Sequence, residues 1–150
     1  MRKVLLIAVA VVACSKAETP ATDTAAPAPP PAPAALSAAD VSGTWKGTSK
    51  REGSDSILTF TIINSDSAGK VVFPNVKDTV TTLMRFDSDS VIVMSSAYRE
   101  PGSPKNAPQV TFRSVGRIKD GKLVGVAAIS PAAKPDTVVT RVTWEATKAP

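Results

Sequence analysis

The sequence predicts an all-β domain: a single antiparallel eight-stranded up-and-down barrel, with a two-sheet β-sandwich as the alternative. Three observations lead there. From Asp40 to the C-terminus, apolar residues recur at every second position, the period of a half-buried strand. No window in that region shows helical periodicity. Short connections alternate with longer ones, as in a meander whose two ends differ. Closing the meander also removes the free edges that invite aggregation.

Taken in order, the strands are expected near 42–49, 56–64, 69–74, 80–86, 90–97, 109–119, 122–130 and 137–147. In the first, Val41, Gly43, Trp45 and Gly47 alternate with Ser42, Thr44, Lys46 and Thr48. In the second, Leu58, Phe60 and Ile62 alternate with Thr59 and Thr61. Val71-Val72-Phe73 marks the third. Val80, Thr82, Met84 and Phe86 share one face of the fourth, opposite Thr81, Leu83 and Arg85. Val91-Ile92-Val93-Met94 marks the fifth. Phe112, Ser114, Gly116 and Ile118 oppose Thr111, Arg113, Val115 and Arg117 in the sixth. The run Leu123–Ile129 is the seventh, and Val138, Thr140, Val142, Trp144 and Ala146 line one face of the eighth.

The connections carry their own chemistry. Ser54-Asp55-Ser56, Ser88-Asp89-Ser90 and Pro135-Asp136-Thr137 each precede a β-branched residue. Asp and Ser side chains bond nearby backbone amides and so end a turn before a strand. Lys119-Asp120-Gly121-Lys122 is a tight hairpin, because Asp-Gly accepts the positive φ values of a type I′ turn. Connections after strands two, four and six are compact, and those after one, three, five and seven are longer. One end of the barrel is therefore tight and the other ringed by loops, and the chain enters at the tight end.

The residues before the barrel read differently. Met1-Arg2-Lys3 is basic and Val4–Ala13 is a ten-residue apolar run, the pattern of a signal peptide and far short of the roughly 20 residues that span a bilayer. It ends in Val11-Val12-Ala13-Cys14, which resembles the lipobox of bacterial lipoproteins. The resemblance implies lipidation of Cys14 and a place in the cell envelope: the outer membrane, at its periplasmic face or at the cell surface. Ser15, where an aspartate often retains such proteins at the inner membrane, agrees with that placement. Residues 15–39 hold ten alanines and six prolines, a composition that buries too little surface to fold. In extended polyproline geometry such a tether reaches about 70–80 Å. The expected organisation is a signal peptide over 1–13, the lipidated cysteine and a disordered tether over 14–39, and the β-domain over 40–150.

Composition narrows the chemistry. The chain contains no histidine, and its single cysteine belongs to the lipobox, which leaves the domain without a disulfide, a thiolate nucleophile or a Cys/His metal site. No Gly-x-Ser-x-Gly elbow is present. No enzyme, cofactor or metal is expected. From Asp40 onward 15 basic and 11 acidic residues are interleaved, with no basic stripe bearing stacking aromatics, so nucleic acid is not an expected partner.

Gly43-Thr44-Trp45 in the first strand is similar to the Gly-x-Trp motif of lipocalin and calycin barrels. That family closes its barrel near the motif and packs the tryptophan against a basic residue near the end of the last strand, a part open here to Arg141 or Lys148. Its C-terminal helix has no counterpart in the periodicity. The resemblance implies a barrel that binds a small apolar or amphipathic ligand. The residues expected to touch such a ligand are Trp45 and, from the long loop Tyr98–Pro108, Tyr98 and Arg99. Gly47, Gly116, Gly125 and Ala127 fall on inward faces, either leaving room for a ligand or relieving crowding. The alternative function is that of a structural or accessory lipoprotein whose β-domain contacts another envelope protein. In both readings the membrane is a partner through the lipid anchor.

Overall fold

The structure, a computed structural model, describes residues 35–74 and 76–150. The signal segment, Cys14 and most of the tether lie outside the described residues. A short helix, α1 (Ala38–Val41), leads into eight strands. These are β1 (Gly43–Arg51), β2 (Ile57–Ser65), β3 (Ala68–Val72), β4 (Val80–Asp87), β5 (Ser90–Ser95), β6 (Val110–Lys119), β7 (Lys122–Pro131) and β8 (Thr140–Lys148). Each pairs antiparallel with its neighbour, and β8 closes on β1, giving a closed up-and-down barrel in sequence order. The sandwich alternative is set aside by that β8–β1 ladder, which runs from Trp45↔Lys148 to Arg51↔Val142.

The period-two pattern becomes inside and outside. Trp45, Phe60, Val71, Val80, Met84, Val91, Leu123 and Ala146 form the buried core. The turns behave as their residues require. Asp66, Ser88 and Asp120 take positive φ in the three tight hairpins, with Gly121 beside Asp120. Asp is among the few residues with a side chain that tolerate this left-handed region. The four longer connections lie at the opposite end.

The folded region starts before Asp40, earlier than composition suggests. Leu36 donates its N–H to Ser88 O at 2.7 Å, at the β4–β5 hairpin, and packs against the core. The Asp40 carboxylate accepts from both the N–H and the hydroxyl of Ser37, at 2.8 and 2.6 Å. These bonds, the hydroxyl first, hold the Asp40 carboxyl below its ordinary pKa. The short helix they pin pushes Val41 fully inside, where it closes the tight end of the barrel. Its backbone oxygen accepts from Trp45 Nε1 at 2.9 Å and from Asn64 Nδ2 at 3.2 Å. Four residues are too few to show a helical period, so this element is invisible to pattern.

Other boundaries differ for local reasons. Val138 and Val139 are exposed and precede β8 instead of joining it. β5 stops at Ser95, because the Ser95 hydroxyl takes the Phe112 N–H at 2.8 Å in place of a backbone carbonyl. Pairing resumes at Tyr98↔Val110, one residue out of step with Met94↔Arg113. This bulge inserts one residue and reverses the alternation, so that Tyr98 faces inward instead of Ala97.

Replacing Trp45 by Phe removes the bond to Val41 and part of the packing beneath the closed end. A loss of about 1–3 kcal/mol of unfolding free energy is expected in urea titration, with the β-sheet circular dichroism of the native state retained.

Candidate functional site

Of the three residues expected to touch a ligand, Trp45 lies at the opposite end of the barrel from Tyr98 and Arg99. Trp45 is buried at the tight end, under Val41, with Lys148 Nζ 5.6 Å from its ring centroid. Lys148, not Arg141, occupies the position that the Gly-x-Trp resemblance implies, since Trp45 and Lys148 are register partners. Arg141 points outward from the far end of β8. Tyr98 belongs to the long-loop end. It stacks on Phe73 with centroids 6.3 Å apart and meets Phe112 edge-on at 6.0 Å. Arg99, next in sequence, is exposed and reaches back along its own loop toward Ala107 O at 3.4 Å.

Two further residues bridge the long-loop end. Arg51, the last residue of β1, pairs with Glu100 and so ties the β5–β6 connection to the rim of the barrel. Such a partly exposed pair contributes about 0–1 kcal/mol and acts chiefly by position. Beneath it Tyr98 is buried, and burial pushes its phenol pKa well above the ordinary value, with the Glu100 charge adding to the effect and Arg51 opposing it.

Between the two ends the interior is occupied by side chains. Trp144 projects from β8 across β7 and β6 and donates Nε1–H to Ser114 Oγ at 2.8 Å. Phe60 meets it edge-on, with centroids 6.4 Å apart. The inward glycines make room for these rings. A Cβ on Gly116 falls 2.9 Å from Trp144, one on Gly125 falls 2.6 Å from it, and one on Gly47 falls 2.6 Å from Phe60. Gly116 and Gly125 are register partners, so the indole crosses a gap two residues wide. Pattern places these glycines on the inner face but cannot say which side chain fills the space. One buried hydroxyl, Thr82 Oγ1, has no hydrogen-bond partner among the described residues.

The concavities that stand out lie on the outer wall. The larger, about 680 Å³, runs across β6, β7, β8 and β1 between two cross-strand rows of outward side chains. Val115, Val124, Val126 and Ile57 supply its apolar lining, and Arg117, Lys50 and Glu145 its charged groups. The smaller, about 410 Å³, is the next groove toward the tight end, over Gly47. Both are shallow, polar-edged surface features without converging carboxylates.

No protein-family model, curated protein or solved structure matches the chain.

Two measurements check this description. Gly116→Ala is expected to cost about 1–3 kcal/mol by overpacking, and much less when Trp144 is first replaced by Leu; a thermodynamic cycle in urea reads the coupling. Tyr98 is the only tyrosine in the chain, so phenolate absorbance reports it alone. Its pKa is raised by folding, so the unfolded chain loses that proton first. Its contribution is fully present below the unfolded value of about 10 and is lost as pH rises beyond it. Phenolate is expected to appear only with unfolding; titration at the ordinary value in folded protein contradicts the burial.

Proposed function

We propose that the chain is a lipid-anchored lipoprotein of the bacterial envelope whose barrel works through its outer surface, as an accessory module contacting another component of the envelope. Val11-Val12-Ala13-Cys14 supports the anchor. The observation that carries the mode of action is the occupied interior. Trp144 and Phe60 fill the space over Gly47, Gly116 and Gly125, Val41 closes one end, and Tyr98 with Phe73 and Phe112 packs the other. Ligand pockets in barrels are hollow and largely preformed. Here the apolar surface left for recognition is outside.

A second reading keeps a small apolar or amphipathic ligand. The feature that favours it is the aromatic group Phe73, Tyr98 and Phe112 beneath the Arg51–Glu100 pair. Opening that pair would expose an apolar surface at the long-loop end.

Metabolic labelling with a radioactive fatty acid tests the anchor. The full chain is expected to take up label and fractionate with membranes, and Cys14→Ala to lose both. Native mass spectrometry of the protein extracted from its own envelope separates the two modes: a stoichiometric protein partner favours outer-surface contact, and a co-purifying small molecule that Tyr98→Ala abolishes favours the ligand.

A further inference from the structure

Charge is unevenly divided over this barrel. The eight strands contain eleven Lys and Arg residues and two carboxylates, Asp87 and Glu145; among the other described residues, four are basic and nine acidic. Outward arginines and lysines are also unevenly placed. The outward positions of β1 and β3 present Lys46, Lys50 and Lys70, with Arg51 at the rim of β1, while those of β4, β6 and β8 hold Arg85, Arg113, Arg117 and Arg141, with Lys119 and Lys122 at the β6–β7 hairpin and Lys148 at the end of β8. Among the described residues none of the four arginines on β4, β6 and β8 has a carboxylate within ion-pair distance.

The wall from β4 to β8 also exposes aliphatic side chains. Leu83 is 59% exposed, Met94 41%, Val115 48% and Val126 47%. Their registers join them into one stripe. Leu83 pairs with Met94, Ile92 next to it with Val115, and Val115 with Val126. The arginines interleave with this stripe: Arg85 opposes Ile92, Arg113 opposes Met94, and Arg117 opposes Val124.

We infer that the β4–β8 wall docks on the surface of an anionic phospholipid bilayer. The inference rests on the reading of the barrel as a module that acts through its outside. Unpaired arginines call for an anionic partner, and a planar guanidinium matches a phosphate in two-pronged fashion where a lysine cannot. The interleaving selects the class of partner. A protein interface gathers its apolar groups into a dry centre with a polar rim. Here apolar and cationic side chains alternate from residue to residue, which suits a laterally uniform layer with phosphates at one level and acyl chains just below. On β5, β6 and β7 the side chains face the layer, and the arginines of β4 and β8, further round the curve, extend their stems toward headgroups. A bilayer is also within reach, because Cys14 stands only about twenty residues before the folded region, at most about 65 Å of extended chain. The barrel then lies on its side and not on its tight end.

Every strand and core residue of the barrel falls within residues 36–148, so the chain from Ser15 onward, which lacks Cys14, carries the complete wall. It is mixed with vesicles of phosphatidylglycerol plus phosphatidylcholine, or of phosphatidylcholine alone, and sedimented. Binding to the anionic vesicles is expected, weakened by salt and absent with phosphatidylcholine. Arg113→Glu with Arg117→Glu is expected to weaken it about tenfold or more, since each basic side chain near such a surface adds attraction. Lys46→Glu with Lys70→Glu makes the same change of net charge on the other wall and is expected to leave most of the binding. Circular dichroism confirms that each variant is folded. Absence of binding, equal binding to both vesicles, or equal loss from the two charge reversals overturns the inference. So does crosslinking from Met94 to an envelope protein while vesicles remain unbound. Fatty-acid labelling of the full chain is read separately, so a missing anchor and an inactive wall are told apart.

Discussion

Trp144 must fit inside a closed eight-stranded barrel, and much of the architecture answers to that constraint. A barrel of this strand number has an interior just wide enough for side chains. An indole there needs the facing strands to give up their own side chains, and Gly116 and Gly125, register partners on β6 and β7, do so. A buried indole N–H also needs an acceptor. Ser114, two residues along β6 on the same inward face, provides it. Gly47 makes the same concession to Phe60 on the other side of the barrel, and Phe60 in turn braces Trp144. With Val41 at one end and Tyr98 at the other, the result is a body with a side-chain interior, and its glycines are part of its packing.

How much of this is legible in the sequence depends on the range of the interaction responsible. Strands and tight turns are local, and the eight runs of alternation with their Asp- and Ser-containing connections locate every strand to within a few residues. The chain's entry at the tight end follows from loop length alone and is carried by the Leu36–Ser88 bond. What escapes pattern is what depends on a partner far away in sequence. Leu36 to Ala39 reads as the end of an Ala/Pro tether and Val41 as part of the first strand's alternation, because the capping role of this segment appears only where Asn64 and Trp45 converge on Val41 O. Tyr98 reads as a loop residue, because one inserted residue spoils the alternation that would reveal it as inward. Trp45 and Tyr98, both singled out by chemistry, are buried at opposite ends of the barrel, and that separation depends on pairings distant in sequence.

The separation of charge has two components that should not be confused. Part of it follows from backbone chemistry. Asp suits turns because it accepts nearby amides and tolerates positive φ, as Asp66 and Asp120 do, and it is a poor strand residue. Acids are thereby drawn into the connections, and the strands are left with bases. The wall is therefore cationic all round. Backbone chemistry does not explain why Arg85, Arg113, Arg117 and Arg141 all stand outward on β4, β6 and β8, since strand formation has little reason to distinguish Arg from Lys.

Nor does it explain why the aliphatic residues left in water collect beside the arginines. Outward Leu83, Met94, Val115 and Val126 cost hydration and contribute nothing to a core that is already filled. Single exposed apolar residues are ordinary on any surface. A register-matched stripe over four adjacent strands is a different observation, because each member would be easily replaced by Thr, as at Thr48, Thr59 and Thr61 on the neighbouring wall. The β1–β3 side carries threonine and lysine with Ile57 and Ile63 exposed among them, whereas the β4–β8 side joins its aliphatic residues by register and sets arginines between them. In a barrel whose inside is taken up by its own side chains, this mixture of unpaired arginines and register-joined aliphatic residues is what sets the β4–β8 side apart.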